Sequence, residues 1–203
     1  VCSSDLLSEF FIIEPITLGE NPKENLDTKV VEYQSEHPYN PMPEDWLPEY
    51  HVERYKDKHF VLGLYHDQEH WDWITGNNDR GSLIYNVRLG KSRDGTMSEN
   101  RIKSLKPMFA ILYEEGREAE NKYHVFRIHD TARMTEERMR QAMYPTNHGG
   151  PHGDYFIFRF DEEISIGKFD IDALITRYRL DHPEYIYGSP IYPTGEELLK
   201  YKL

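Results

Sequence analysis

DYFIFRFDEEI, residues Asp154–Ile164, alternates with a period of two. Successive side chains of an extended chain point to opposite faces. Phe156, Phe158 and Phe160 therefore share one face, and Tyr155, Ile157 and Arg159 the other. A row of three phenylalanines on one strand face marks core. Four earlier segments have similar character: HFVLGLYH (His59–His66), SLIYNVRL (Ser82–Leu89), MFAILYE (Met108–Glu114) and KYHVFRIHD (Lys122–Asp130). Helices are predicted over Met134–Tyr144, with Thr135 as N-cap ahead of Glu136 and Glu137, and over Asp170–Leu180. Thr194 caps a short helix near the end of the chain. Met139 and Met143 lie four apart on one helix face and read as packing. Strands, turns and interspersed helices together predict an α+β fold: a small curled mixed β-sheet or partly closed β-barrel with peripheral helices.

The segment before this series reads differently. Glu9–Ile16 is a strand or the tail of an upstream element. Thr17–Glu36 is polar without clean periodicity, and four prolines fall within His37–Pro48, where they remove donors and hold their neighbours extended. Residues 1–57 are expected to form an arm, a linker or the end of an upstream domain, with Trp46, Leu47 and Tyr50 as anchors. Residues 58–203 are expected to form the domain. The opening VCSSDL (Val1–Leu6) looks like translated sequencing-adapter DNA in a metagenomic reading frame, and on that reading the natural chain continues upstream.

Composition narrows the function classes. Aromatic residues make up 13% of the 203 residues, which argues against disorder. Cys2 is the single cysteine, so no disulfide framework forms within the chain. No apolar run approaches the roughly 20 residues of a membrane span. A reducing, cytoplasmic setting without membrane partners is expected. The net charge is −12, yet Asp79–Pro107 holds seven basic residues against three acidic ones. A basic stretch inside an acidic protein gives its field a direction.

The order of elements carries a resemblance. SLKPMFAILYE is followed by KYHVFRIHDTARMTEERMRQAMYP, and then by DYFIFRFDEEISIGKFDIDALI. A strand with a Lys-Pro lead-in, a strand running into a helix, and a late aromatic strand entering another helix resemble the layout of PUA-like domains. That superfamily includes the EVE, ASCH, YTH and SRA branches. The resemblance covers about residues 58–180 and rests on element order and hydrophobic pattern. It implies a pseudobarrel that reads nucleic acid, DNA or RNA, with a modified or flipped base held in an aromatic-lined pocket. It fits a component of a bacterial restriction or defence protein whose chemistry comes from an upstream catalytic domain or a partner protein. A flipped base needs flat walls for stacking and polar groups for its edge. Trp71 and Trp73 would share a face if their segment were extended. Asn77, Asn78 and Asp79 offer donors and acceptors for a base edge. Arg88, Arg93, Arg101 and Lys103 are the candidates for phosphates.

Catalytic alternatives are fewer. HDQEH (His66–His70) matches the inverted zinc-protease pattern H-x-x-E-H. On a helix, His66 and His70 would bind zinc with Glu69 as general base, which makes a metal-assisted hydrolase the second reading. His148 and His152 lie in a Gly/Pro-rich loop, Pro145–Asp154, and with His124 or His129 could assemble a metal site; His129–Asp130 at a strand end could act as an acid–base pair. No P-loop, nucleophile elbow or dinucleotide-binding fingerprint occurs, and no cofactor is expected. A protein-interaction domain with an acidic contact surface is the third reading.

Overall fold

The computed structural model describes residues 46–76, 83–89, 98–142, 144–146, 150–185 and 188–203, all within the unit that runs from Tyr39 to Leu203. The strand expected over Glu9–Ile16 and the adapter-like opening lie outside the described residues. Five strands form one sheet: β1 (Phe60–Tyr65), β2 (Ile84–Leu89), β3 (Phe109–Glu114), β4 (Tyr123–Met134) and β5 (Asp154–Ile164). Their spatial order is β1-β3-β4-β5-β2. β1 and β3 run parallel, and the other neighbours antiparallel. The fold is α+β, with a mixed sheet curled into a half-barrel.

Among the described residues five α-helices accompany the sheet: α1 (Gln68–Thr75), α2 (Glu99–Leu105), α3 (Glu136–Gln141), α4 (Ile171–Asp181) and α5 (Gly195–Leu199). The last three lie within or beside their predicted spans. Thr135 caps α3 by accepting from Arg138 N at 3.3 Å. β4 continues to Met134, four residues past the expected end, so α3 starts only at Glu136.

The curl has local causes. The β4–β5 register shifts twice, between Arg127 and Ile128 and between Ile128 and Asp130. Such irregularities bend a strand and sharpen its twist. Phe156, Phe158 and Phe160 are buried as expected, and Phe126 stacks on Phe160 with ring centres 4.8 Å apart. Tyr155 and Ile157 are buried too, so the middle of β5 is covered on both faces.

The two outer strands meet through a side chain. Tyr85 on β2 donates its hydroxyl to the Leu64 carbonyl on β1 at 3.2 Å. Gly63 makes room for it: a Cβ there would lie 2.3 Å from the Tyr85 hydroxyl oxygen. The outer edge of β1 is covered by the chain around Ile191. Phe60 N donates to Pro193 O at 2.8 Å, Leu62 N to Ile191 O at 2.9 Å, and Ile191 N to Leu62 O at 3.0 Å.

Residues ahead of Lys58 are built into the same body. Val52 is buried in a 3-10 helix, Val52–Tyr55. Tyr50 N donates to Ser165 O at 2.7 Å, and the Tyr50 hydroxyl donates to Glu162 at 3.0 Å. Of the expected anchors Tyr50 serves, Leu47 is half-buried, and Trp46 stands 66% exposed.

Two stability predictions test the closure. Gly63→Ala is expected to destabilise by roughly 1–3 kcal/mol through overpacking, and much less in a Tyr85→Leu background. Equal losses in both backgrounds, read by urea unfolding, would remove Tyr85 as the obstacle. The Tyr192 hydroxyl is buried without a hydrogen-bond partner among the described residues. Tyr192→Phe should therefore be neutral or stabilising, whereas Tyr85→Phe should lose about 1 kcal/mol.

Candidate functional site

The two tryptophans do not form the expected surface. Their segment is helix α1, because Asp67 Oδ1 caps it by accepting from His70 N at 2.9 Å. Gly76 ends it in the left-handed region at φ 113°, with its N–H on Asp72 O. Residues two apart on a helix point in different directions. Trp71 packs against His124 and Tyr65, with centroids 4.2 and 4.8 Å away. Trp73 donates its indole N–H to Ala142 O at 2.8 Å and packs edge-on to Tyr144 at 4.9 Å. Both are buried and belong to the core.

The basic stretch is partly used up within the molecule. Lys103 pairs with Glu99 along α2, and Arg133 also reaches Glu99, at 3.4 Å. The hydrogen bond from Lys103 is the main reason that Glu99 is held below the usual carboxylate range. Arg101 reaches the Tyr185 hydroxyl at 3.4 Å and Glu184 at 3.7 Å. Arg88 is exposed near the end of β2 and has no ion pair among the described residues. Asn77, Asn78, Asp79 and Arg93 lie outside the described residues.

The zinc-like pattern takes another form. Asp67 starts the helix one residue after His66, so His66 and His70 do not share a helix. His66 Nδ1 sits 2.7 Å from Glu115 Oε2. His70 Nδ1 accepts the His66 backbone N–H at 3.2 Å, and His70 Nε2 faces Asn86 Oδ1 at 3.4 Å. Among the described residues no three His, Cys, Asp or Glu side chains are grouped to hold a metal. His124 engages Glu163 at 2.7 Å, His152 is exposed, and Asp130 lies 3.5 Å from Arg159. His148 lies outside the described residues.

Glu69 has a different role. It lines a cleft of about 350 Å³ with Arg140, Tyr144, Pro145, Thr146 and Pro151. α1 supplies Glu69, α3 supplies Arg140, and the chain after α3 supplies the rest. Glu136 fastens the cleft's rim. Its carboxylate takes Arg140 at 2.7 Å and the Gly153 N–H at 2.6 Å. These bonds, Arg140 foremost, hold Glu136 below the ordinary carboxylate range. Arg140 also donates to Pro151 O at 3.2 Å, which ties the rim to α3. Tyr144 is half-buried. Burial raises its pKa above that of a free phenol, and the Asn86 side chain opposes the rise by hydrogen-bonding to it. His70 thus meets Asn86 through Nε2, and its ring stands edge to face with the Tyr144 ring, centres 5.6 Å apart.

The Gly/Pro-rich loop Pro145–Asp154 signalled an irregular segment in the sequence. That α1 places Glu69 opposite it depends on the Asp67 cap. No helix among the described residues is long and apolar enough to cross a membrane. No protein-family model, curated protein or solved structure matches the chain.

The packing assigned to the tryptophans is testable. Trp71→Ala and Trp73→Ala are each expected to destabilise by about 3–5 kcal/mol in chemical denaturation. A loss below about 0.5 kcal/mol, the range of surface substitutions, would return that tryptophan to the surface.

Proposed function

We propose that this domain reads nucleic acid and takes a single base, flipped from a duplex or drawn from a single strand, into the cleft beside Tyr144. The observation that carries the reading is convergence. An aromatic ring, two prolines, a carboxylate, a guanidinium and a hydroxyl line one cleft. A bound base requires flat apolar walls and polar groups at its edge, and stacking on an aromatic ring contributes about 1–3 kcal/mol per base. The cleft volume falls in the range of about 300–1,000 Å³ usual for small-ligand sites.

The curled sheet with peripheral helices is the frame that the PUA-like resemblance calls for, and it supports the reading at the level of architecture. Function is argued from the site, because folds host many functions. Phosphates flanking the base would meet Arg88 and Arg138. Both are exposed, and neither has an ion pair among the described residues. Glu69, assigned to catalysis under the metal-assisted reading, here accepts a hydrogen bond from the base. A reader of this kind would serve a restriction or defence protein by directing chemistry that resides elsewhere.

Fluorescence anisotropy tests this. Single- and double-stranded DNA and RNA oligonucleotides, with and without common base modifications, would be titrated at two salt concentrations. Binding is expected to weaken with salt, with a slope that counts the phosphates contacted. It should also tighten for one base identity. Thr146→Trp, which fills the cleft, should remove that preference. Absence of binding to any probe at low salt would overturn the reading.

A further inference from the structure

The charges around the cleft do not cancel. Among the described residues that line it, Glu69 and Arg140 carry charge. Arg140 is already engaged: its guanidinium donates to Glu136 Oε1 at 2.7 Å and to the Pro151 carbonyl at 3.2 Å. The other Glu136 oxygen takes the Gly153 N–H, so the Arg140–Glu136 pair is satisfied within the rim. Glu69 is exposed and its carboxylate has no ion pair among the described residues. It stands in the first turn of α1, where a helix end carries roughly half a positive charge. The Asp67 cap shares that end, accepting from His70 N at 2.9 Å, and one helix end does not balance two carboxylates. Negative charge is therefore left over on the wall of a cleft whose other lining residues are uncharged. Filling the cleft displaces the water that screens Glu69, which strengthens its pull on a charge inside.

Resting on the base-binding reading, we propose that the cleft selects a base made cationic by alkylation of a ring nitrogen, with Glu69 as the specificity-determining residue. 7-Methylguanine, 1-methyladenine and 3-methylcytosine are bases of this class. Each keeps an exocyclic amino group beside its cationic ring. Glu69 then meets a charge and an N–H donor together, in a charge-assisted hydrogen bond. A neutral base offers the donor without the charge. Arg88 and Arg138, exposed and without ion pairs among the described residues, are not part of the cleft lining. Phosphates are drawn to them, and the cationic ring to Glu69, so the two signs of charge on one ligand go to different places.

Anisotropy titrations on the full chain test this, with oligonucleotides of whichever strand type binds best. Three pairs of probes carry a methyl group on both members and a positive charge on one. They are 7-methylguanine against 7-methyl-7-deazaguanine, 1-methyladenine against N6-methyladenine, and 3-methylcytosine against 5-methylcytosine. Mildly acidic buffer keeps the alkylated rings cationic. Within a pair the phosphates are the same, so their salt-dependent contribution cancels in the ratio of affinities. Wild-type protein is expected to favour the cationic member of at least one pair by about tenfold, the scale of one charge-assisted hydrogen bond. Glu69→Gln keeps the size of the side chain and should remove most of that ratio, and Glu69→Lys should invert it. Equal binding within every pair, or preference for the neutral member, overturns this inference and leaves the base-binding reading standing. A tenfold ratio that survives Glu69→Gln overturns it as well. Absence of binding to every oligonucleotide overturns both.

Discussion

One hydrogen bond spans the mouth of the sheet, and the architecture is organised around it. β1 and β2 stand at opposite ends of the strand order. In a flat sheet, four inter-strand steps would put them about 19 Å apart, far beyond the reach of a side chain. The Tyr85 hydroxyl nevertheless rests on the Leu64 carbonyl. That contact requires the sheet to curl, the bend in β4 to exist, and position 63 to carry no side chain. Tyr192 is buried and packs against Tyr185, its hydroxyl without a hydrogen-bond partner among the described residues.

The cleft depends on that frame at one remove. β2 carries Tyr85 and Asn86 at adjacent positions, and alternation sends them to opposite faces. Tyr85 closes the sheet, whereas Asn86 meets helix α1 through His70. The Asp67 cap sets where α1 begins, which decides that His70 turns inward while Glu69 faces the cleft. A single strand register therefore serves both the closure and the site. A slip of one residue would exchange the two side chains and lose both.

The strands were legible because a period of two is a strong signal over five or more residues. The aromatic row Phe156–Phe158–Phe160 identified the core directly. The C-terminal helices were legible through Thr135 and Thr194 as caps. Helix α1 was not, although its signals stand in the sequence: Asp67 ahead of a helix-compatible run, and Gly76 behind it. Two tryptophans with an aspartate between them suggested strand alternation, and the capping chemistry decided otherwise. Ser98 likewise caps α2, inside what read as a basic loop. The site was legible only in its loop. Glu69 was singled out for a different role, and Tyr144 and Arg140 were absorbed into a helix pattern. Their convergence follows from long-range packing that no local period encodes. The charge pattern did not reveal this pairing, because Glu99 lies within the basic stretch and its carboxylate meets both Lys103 and Arg133 only in space.

The guard on the edge of β1 has a consequence for how the molecule comes into being. His59 and Tyr192 touch across 133 residues of sequence, and the chain around Ile191 supplies the bonds that cover β1's open side. A ribosome releases β1 long before it releases that cover. Throughout the interval the first strand presents unpaired backbone groups on a row of buried-type residues, the kind of template on which another nascent chain can add. The protein's hazard is therefore one of timing, greatest when many copies are being translated side by side, and it ends when the chain around Ile191 folds back onto β1.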